Sequence, residues 1–399
     1  MHIIRQVTSD ICWIGASDHR LSLFENIYPV PQGISYNAYL LKDEKTVLFD
    51  TVDAAVRQQF LENLKYALDE RPLDYIVIHH MEPDHCAEIA DLVRLYPEIK
   101  IVCNGQMQKM IEQFFSLNLP ADKFIFVKEG DTLNTGRHTL HFIAAPMVHW
   151  PEVMMTYDTA DKILFSADAF GTFGALNGNI FADEVDFEHF YLDEARRYYA
   201  NIVGKYGPQV QNVLNKAAAL DIRMICPLHG FIWRQNIEFY LQKYRQWSAY
   251  EPETEGVVIA YGSIYGNTYN TVALLAAELA DAGVKNIRMY DVSVTHPSYI
   301  ISDMFQYSTL VFAAPTYNGG IFVNMENLLR DLTAHNLQNR RIAVLDNGTW
   351  AAVAGKQMKE ELAKLKNCVI LESSLSLKSA LKADQLPQID ALVKDIIAA

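Results

Sequence analysis

Residues 80–88, HMEPDHCAE, concentrate potential metal ligands in one short segment. His80, Glu82, Asp84 and His85 lie within six residues and follow the apolar run YIVI. Two-residue steps along an extended chain would keep the first three of these side chains on one side. A solvated polar turn is the alternative interpretation. The residue types and their spacing after an apolar strand nevertheless favour a metal site.

Three further apolar runs end in a residue that could complete this site. IAAPMVHW carries His149, KILFSADAFG carries Asp168, and MICPLHG carries His229. Functional side chains concentrate where strands of α/β sheets end. Taken singly, each of these residues is more typical of a structural position. Four segments built in the same way predict one shared metal site.

A second constellation, AYGSIYGNTYN at 260–270, lies between an apolar strand and a helical pattern. Amides and hydroxyls at a helix N-terminus bind phosphate without a basic side chain. No lysine follows the glycine and no G-x-G-x-x-G occurs, so neither a nucleoside triphosphate nor a dinucleotide is favoured. The terminal phosphate of FMN fits best, and a strand–turn–helix without a ligand is the alternative. The candidate residues are Ser263, Ile264, Tyr265, Gly266, Asn267 and Thr268.

Two later loops combine glycines with an aromatic residue after a strand. Tyr317 and Trp350 are placed to flank a planar ring, while the loop amides face its polar edge. Trp350 as a packing residue is the alternative. The candidate flavin residues in these loops are Pro315, Thr316, Tyr317, Asn318, Gly319, Gly320, Asn347, Gly348, Thr349 and Trp350.

The elements that must position these residues form two domains. The chain has 399 residues, too many for one ordinary core. Before the segment YEPETEGV, strands follow one another without intervening helices, which predicts an α+β domain. After it, strands alternate with helices, which predicts a parallel sheet covered on both faces. The expected boundaries are 1–249 for the metal domain, 250–256 for a linker and 257–399 for the flavin domain.

Composition limits the possible partners and compartments. The formal net charge of −14 repels phosphate backbones, so nucleic acid is not an expected partner. No leader pattern and no apolar run of membrane-spanning length occurs, and we expect a soluble, cytoplasmic protein without membrane association. The five cysteines are scattered without a CxxC pair. This argues against a disulfide framework and against an iron–sulfur module in this chain.

The two constellations together resemble the flavodiiron protein family in its minimal two-domain form. The resemblance implies a metallo-β-lactamase-like αββα sandwich followed by a flavodoxin-like α/β doubly wound parallel sheet. It also implies two non-haem irons and FMN as cofactors. By this resemblance one iron is held by His80, Glu82 and His149, the other by Asp84, His85 and His229, and Asp168 bridges them.

Glu82 occupies a position where zinc hydrolases of this fold usually carry a histidine. A carboxylate is harder than imidazole and stabilises the ferric state that a redox cycle visits, whereas a zinc hydrolase needs no redox change. Glu82 therefore favours iron and electron transfer, although carboxylates also bind zinc. Some family members have a pocket histidine where this chain has Glu25 or Asn26. Tyr198 or Tyr199 is a candidate hydrogen-bond donor to bound substrate.

The resemblance implies reduction of dioxygen to water, of nitric oxide to nitrous oxide, or of both. It implies an external electron donor such as a rubredoxin or a rubredoxin reductase, and a head-to-tail homodimer or a tetramer. Two alternatives remain open from the sequence. One is a metal-dependent hydrolase of the metallo-β-lactamase or thioesterase type with an appended flavodoxin domain. The other is a non-catalytic electron carrier whose metal domain is a relic.

Overall fold

The computed structural model describes residues 2–398, which divide into two units. The first unit comprises Met1–Tyr199 and Pro208–Arg245, and the second comprises Ala200–Gly207 and Gln246–Ala399. The predicted linker 250–256 overlaps the second unit's first strand, which begins at Thr254. The domain boundaries given above stay a prediction. Within the described part of the chain, no helix has both the length and the apolar character needed to cross a membrane.

The strands of the first unit are short and mostly buried. In chain order they are β1 (Arg5–Gln6), β2 (Ile11–Trp13), β3 (Ala16–Asp18), β4 (Leu23–Phe24), β5 (Tyr28–Pro29), β6 (Ile34–Tyr36), β7 (Tyr39–Lys42), β8 (Thr46–Phe49), β9 (Tyr75–Val77), β10 (Lys100–Cys103), β11 (Phe124–Phe126), β12 (Thr132–Asn134), β13 (Thr139–Ala144), β14 (Met154–Asp158), β15 (Ile163–Phe165) and β16 (Met224–Cys226). The helices between residues 57 and 248 are α1 (Arg57–Leu68), α2 (Pro83–Cys86), α3 (Ile89–Leu95), α4 (Gly105–Phe115), α5 (Phe187–Phe190), α6 (Leu192–Tyr198), α7 (Gly207–Ala217) and α8 (Ile237–Ser248).

Twelve of these strands form two large sheets, while β3 with β6 and β4 with β5 form two small two-stranded sheets. One large sheet has the order β1-β2-β7-β8-β9-β10-β11 and the other the order β12-β13-β14-β15-β16. In the first sheet β8, β9, β10 and β11 run parallel. The apolar runs of β8, β9 and β10 are largely buried, as is typical of parallel strands, whereas β11 lies at the edge and exposes Phe126. The second sheet is antiparallel except for the parallel pair β15 and β16. Two mixed sheets with helices agree with the predicted α+β class.

The expectation of an extended chain from His80 to Asp84 is wrong. The strand β9 ends at Val77, and the helix α2 begins at Pro83 with Glu82 as its N-cap residue. Proline suits the first turn of a helix because its φ is fixed at a helical value and its missing N–H would have no partner there. The helical turn carries Asp84 to a different side from Glu82.

The second unit is one sheet with helices, parallel except for the short strand β20, which pairs antiparallel with β19. Its strands are β17 (Thr254–Tyr261), β18 (Ile287–Asp291), β19 (Tyr307–Tyr317), β20 (Gly320–Ile321), β21 (Arg341–Asn347), β22 (Val369–Ile370) and β23 (Leu375–Leu377). Its helices are α9 (Asn267–Asp281), α10 (Pro297–Gln306), α11 (Val323–Ala334), α12 (Ala354–Leu362) and α13 (Leu386–Ile397).

The order of this sheet is β18-β17-β19-β21, followed by β22 and β23 on the far side of β21. This is the 2-1-3-4-5 order of doubly wound flavodoxin-like sheets, so the predicted fold class is confirmed. The core holds Val272, Leu275 and Leu279 of α9, which recur at helical spacing against the strands. Because the strands are parallel, the loops after β17, β19, β21 and β23 meet at one edge of the sheet.

Candidate functional site

The seven predicted metal ligands lie together in the first unit. The segments after β9, β13, β15 and β16 supply them, with two ligands carried by α2. Their ligand atoms form two sets, and within each set the atoms lie within 4.8 Å of one another. The first set is His80, Glu82, His149 and Asp168, and the second is Asp84, His85 and His229.

Asp168 faces both sets with different oxygens. Its Oδ2 is 3.3 Å from Nε2 of His80 and 3.2 Å from Nε2 of His149. Its Oδ1 is 3.1 Å from Nε2 of His85 and 3.6 Å from Nε2 of His229. The side chain is buried. A carboxylate arranged in this way can bind one cation with each oxygen.

Each set also has a carboxylate of its own. Oε2 of Glu82 is 3.1 Å from Nε2 of both His80 and His149. Oδ2 of Asp84 is 3.3 Å from Nε2 of both histidines in the second set. Neither oxygen of Asp84 has a hydrogen-bond partner among the described residues, although both oxygens are buried. Buried oxygens without hydrogen-bond donors are costly unless a cation satisfies them.

Hydrogen bonds at Nδ1 orient the imidazole rings of two histidines so that Nε2 faces the site. Nδ1 of His229 is 2.7 Å from the carbonyl oxygen of Ser35, which only accepts, so Nδ1 carries the proton. Nδ1 of His80 is 2.9 Å from Oε1 of Glu152, a buried carboxylate that also accepts the backbone N–H of Met81. In each ring the Nε2 lone pair therefore points into the site, as in metal-binding histidines.

The electrostatics of the site favour positive charge at its centre. Burial alone would lower the pKa of His80, but hydrogen bonds to Glu152 and Glu82 hold it well above its usual value. Burial likewise opposes ionisation of Glu82, yet hydrogen bonds from His149 and His80 lower the pKa of that carboxyl. Three carboxylates and four imidazoles around one cavity suit a pair of divalent or trivalent ions with oxygen and nitrogen preference, iron included. The residues present fit a dinuclear metal site.

Glu25, not Asn26, faces this site from the turn between β4 and β5. Burial together with the negative charge of Glu82 raises the pKa of Glu25 to about 8. The turn places Glu25 in the left-handed region, with φ 50.

Tyr198, not Tyr199, is the tyrosine directed at the site. Its buried hydroxyl has no hydrogen-bond partner among the described residues, and its ring centroid is 5.6 Å from that of His229. Burial and the charge of Asp168 raise the pKa of Tyr198. Gly171 allows this approach, because a Cβ there would lie 2.7 Å from the Tyr198 ring. Tyr199 instead packs against Tyr244.

Two polar residues next to the ligands have other roles. His79 contacts Asp50 and Thr156, with Nδ1 2.5 Å from Asp50 Oδ2 and Nε2 2.7 Å from Thr156 Oγ1. Cys86 is buried, and its Sγ donates to the carbonyl of Met81 at 3.3 Å. Neither side chain belongs to the ligand sets found among the described residues.

The predicted flavin loops lie at one edge of the second unit's sheet. After β17, Gly266 adopts a left-handed φ of 89 and is the N-cap residue of α9. Ser263 Oγ accepts a hydrogen bond from the backbone N–H of Tyr269 in the first turn of that helix. The N-cap residue Gly266 has no side chain to cap the helix, and Ser263 occupies only the amide of Tyr269. The amides of Asn267 and Thr268 are therefore available to a phosphate.

The three loops contact one another through hydrogen bonds. Thr316 Oγ1 accepts from the backbone N–H of Val353 and of Ala354. Asn347 Nδ2 lies 3.4 Å from Oγ1 of Thr268 in the first loop. A Cβ at Gly348 would lie 2.1 Å from a backbone oxygen, so this tight turn requires glycine. Ile264, Asn318, Gly319 and Thr349 belong to the same loops, while Pro315 lies at the end of β19 and Gly320 begins β20.

The aromatic residues of these loops are strongly exposed. Tyr265 is 92% exposed, Trp350 is 93% exposed and Tyr317 is 46% exposed. Such exposure excludes Trp350 as a packing residue of this unit. Exposed aromatic side chains gathered at a strand edge are typical of a ligand or partner surface.

Comparison with known proteins agrees with this arrangement. The family model of the ODP family beta lactamase matches residues 34–230, and that of flavodoxin matches residues 259–397. The anaerobic nitric oxide reductase flavorubredoxin of Klebsiella pneumoniae is 30% identical over 393 residues, which is 97% of this chain and 78% of the relative. The chain belongs to the flavodiiron protein family. An Escherichia coli flavorubredoxin is 31% identical over 386 residues, 95% of this chain and 78% of its own length.

Solved flavodiiron structures have the same two-part architecture. The rubredoxin oxygen:oxidoreductase of Desulfovibrio gigas superposes with a TM-score of 0.93 at 28% identity, covering 99% of this chain and 98% of its own. The flavodiiron protein of Giardia intestinalis gives a TM-score of 0.93 at 24% identity, covering 100% and 98%. At that identity the second match shows the fold alone. These relatives do not favour the hydrolase alternative.

Sequence reasoning missed Glu152 and the carbonyl of Ser35, which orient two of the histidines in this flavodiiron chain. Glu152 lies only three residues after His149, so the pattern HWPE was available as a signal. A backbone carbonyl leaves no trace in the sequence.

Proposed function

We propose that this chain is a flavodiiron oxidoreductase that reduces dioxygen to water, nitric oxide to nitrous oxide, or both. The first reaction takes four electrons and four protons per dioxygen and yields two waters. The second takes two electrons and two protons per two nitric oxide molecules and yields one nitrous oxide and one water. The observation that carries the proposal is the pair of ligand sets sharing Asp168, in the same chain as a flavodoxin-like unit.

His80, Glu82 and His149 would hold one iron, Asp84, His85 and His229 the other, and Asp168 would bridge them. When bound, the irons supply two adjacent redox-active centres, and FMN supplies electrons one at a time. Glu82 in place of an imidazole ligand supports iron over zinc. A site with three carboxylates offsets more of the positive charge of an oxidised metal than a site with two. The fit rests on buried ligand atoms that lack other partners.

The chain's other residues act on orientation and protons. Glu152 and the Ser35 carbonyl hold two imidazole rings with their Nε2 lone pairs inward. The Tyr198 hydroxyl, buried beside His229, is placed to donate a hydrogen bond to substrate.

The loops of the second unit would bind FMN. The N-terminus of α9 would take the phosphate, with Ser263, Asn267 and Thr268 around it. The loops after β19 and β21 would enclose the ring, with Tyr317 and Trp350 against it. We further propose a cytoplasmic protein that works as a head-to-tail homodimer or tetramer with an external electron donor such as a rubredoxin or a rubredoxin reductase.

Rapid mixing of the reduced protein with each gas tests the proposal. The purified protein is reduced without oxygen, mixed with dioxygen or nitric oxide in separate runs, and followed by the flavin absorbance over several turnovers. Reoxidation by either gas is expected to be much faster in the wild type than in Glu82→Ala. Glu98→Ala removes an exposed carboxylate outside the site and should behave as the wild type. Equal rates in Glu82→Ala and the wild type would reject the proposal.

Metal analysis distinguishes the proposed oxidoreductase from the hydrolase alternative. The oxidoreductase is expected to contain two irons per chain and to show no thioester or lactam cleavage. Zinc at stoichiometric amounts with measurable hydrolysis would instead support a hydrolase. Iron without gas-dependent reoxidation would support a simple electron carrier.

A further inference from the structure

His229 lies in a segment that has no regular secondary structure of its own. The strand β16 ends at Cys226, and residues 227–230 form a buried loop. Buried backbone carbonyls need hydrogen-bond donors, and this loop has no helix or strand ladder to supply them. The donors must come from another part of the chain, and their positions decide where the imidazole of His229 lies.

A single residue, Asn37, donates to three of the four carbonyls in this loop. Its side-chain Nδ2 donates to the carbonyl oxygens of Pro227 and Gly230, both at 2.9 Å. Its backbone N–H donates to the carbonyl oxygen of Leu228 at 2.7 Å. Asn37 is fully buried. All three of its N–H hydrogens are therefore used on the loop that carries His229.

The orientation of the Asn37 amide is fixed by Trp13. The indole Nε1 of Trp13 is 2.8 Å from Oδ1 of Asn37, and an indole N–H can only donate. Oδ1 is therefore the acceptor, and Nδ2 points at the loop. A primary amide can accept from one side and donate two hydrogen bonds on the other, whereas a carboxylate only accepts and a hydroxyl has a single hydrogen.

The strand segment that ends at Asn37 also binds the ring of His229. The carbonyl oxygen of Ser35 accepts from Nδ1 of His229 at 2.7 Å, and Ser35 Oγ accepts from the backbone N–H of Gly230 at 2.7 Å. Residues 35–37 therefore hold both the backbone and the imidazole of this ligand. None of the Asn37 hydrogen bonds described above goes to a residue of the first ligand set.

We propose that Asn37 is a positioning residue for the second ligand set, holding residues 227–230 so that Nε2 of His229 points at the metal. The inference rests on the proposed function only in requiring a metal at this set. A metal ligand must be held within about 0.5 Å of its productive position by the groups around it. Without the Asn37 amide, two buried carbonyls would lose their donors, and the loop would shift because such unpaired groups are costly. The second metal would then bind more weakly, while the first set would keep its ligands in place.

Chelation of ferrous iron from the Asn37→Asp variant tests the proposal. Aspartate has nearly the same shape and still accepts from Trp13, but its carboxylate donates to neither carbonyl. The protein is loaded with ferrous iron without oxygen, and competition with a chelator gives an affinity for each iron. Asp84→Asn identifies which of the two belongs to the second set. We expect the second-set affinity to fall roughly 10- to 100-fold in Asn37→Asp and the first-set affinity to stay within about twofold.

A second buried asparagine provides a matched control. Asn63 is also fully buried, and its Nδ2 donates to the carbonyl oxygens of Ile14 at 3.1 Å and Gly15 at 2.9 Å. Asn63→Asp makes the same chemical change at a segment that carries no ligand. It should lower the urea midpoint, as Asn37→Asp does, but leave both iron affinities within about twofold. The comparison separates the positioning of His229 from a general loss of stability.

A double variant tests whether Asn37 acts through His229. In His229→Ala the second set has already lost this ligand, so adding Asn37→Asp should change the remaining iron affinities by less than about twofold. Asn37→Ser, which is smaller and uncharged, takes the place of Asn37→Asp if the aspartate variant does not fold.

Four outcomes of these measurements would overturn the proposal. They are an unchanged second-set affinity in Asn37→Asp, an equal loss of both irons, the same selective loss in Asn63→Asp, and a further loss in the double variant. Failure of both Asn37 variants to fold would also overturn it, because Asn37 would then be required for the fold as a whole. Failure of the proposed function is distinguishable, since it would appear as absence of gas-dependent reoxidation while both irons still bind.

Discussion

Glu152 lies directly behind His80, with its Oε1 2.9 Å from the Nδ1 of the imidazole. Both side chains are fully buried, so the two groups are not solvated by bulk water. A carboxylate in this position fixes the ring orientation and increases the basicity of the nitrogen on the far side. The ligand strength of His80 therefore depends on a residue that touches no metal.

Glu152→Gln is expected to weaken iron binding at the His80 side by roughly 10- to 100-fold, the usual cost of losing such a partner. Glutamine keeps an acceptor for the Met81 N–H but lacks the negative charge. Competition with a chelator measures the change in affinity. Glu129→Gln, at an exposed carboxylate paired with Lys216, is the matched control. Unchanged affinity in Glu152→Gln would show that the carboxylate has no influence on the ligand.

Asp168→Asn is expected to remove both irons, because each oxygen of Asp168 faces a different ligand set. Asp84→Asn removes a ligand from one set only and should leave close to one iron per chain. Elemental analysis of the purified variants gives the ratio of iron to protein. If both variants retained two irons, the shared role of Asp168 would be wrong.

Tyr198→Phe is expected to lower kcat for gas reduction about 5-fold, which corresponds to one hydrogen bond of about 1 kcal/mol. Iron content should not change, since the hydroxyl has no partner within the described residues. Tyr199→Phe is the adjacent control, because Tyr199 packs on Tyr244 instead. A loss of iron in Tyr198→Phe would indicate a structural role.

Trp350→Ala is expected to weaken FMN binding by roughly 2- to 12-fold, the value of an aromatic contact of about 0.5–1.5 kcal/mol. The Kd is measured by adding FMN-free protein to a solution of FMN and following the quenching of flavin fluorescence. Tyr66→Ala alters an exposed aromatic residue in the first unit and should leave the Kd unchanged. Equal Kd values in wild type and Trp350→Ala would remove this residue from the flavin site.

His138 and the two carboxylates beside it, Asp158 and Asp10, should make the stability of the folded protein depend on pH. Burial alone would lower the pKa of His138, but hydrogen bonds to Asp158 and Asp10 raise it to about 9. The folded pKa exceeds the unfolded value near 6.5, so the stabilisation is complete below about pH 6.5 and is lost as the pH rises through 9. The urea midpoint should therefore fall across this interval.

Asp10 contributes with the opposite sign. Burial opposes ionisation, but hydrogen bonds from Ser9 and His138 lower the pKa of Asp10 to about 2. Its contribution is present above about pH 3.9, the unfolded value, and is lost as the pH falls through 2. His138→Gln should abolish the alkaline decline of the urea midpoint. An unchanged profile in that variant would assign the decline to other groups.

The clustering of the candidate ligands could be predicted because each one follows an apolar run, and strand ends meet at one edge of a sheet. The structure brings His149, Asp168 and His229 together with residues 80–85, as that pattern predicts. The conformation between His80 and Asp84 was predicted wrongly, because the ligand pattern suggested an extended chain while Pro83 starts a helix. Local chain direction there is set by the proline and not by the spacing of polar residues.

The remaining features of the site could not be predicted from the sequence, because they depend on contacts between residues that are far apart in the chain. Glu25 and Asn26 were equal candidates until the turn between β4 and β5 placed Glu25 against Glu82. Tyr198 and Tyr199 could not be separated without the direction of their helix. The flavin loops could be predicted because glycine, aromatic and hydroxyl residues follow strands in a repeated manner, and their contact with FMN stays a prediction.

The seven ligands come from both sheets of the first unit, since β9 belongs to one sheet and β13, β15 and β16 to the other. Bound metal is therefore a cross-link between the sheets, joining segments that are far apart in the chain. Because metal binds the folded form, its binding energy adds to the stability of that form. The lifetime of this protein against proteolysis should accordingly follow the iron supply of the cell, and iron starvation would remove the enzyme as well as its activity.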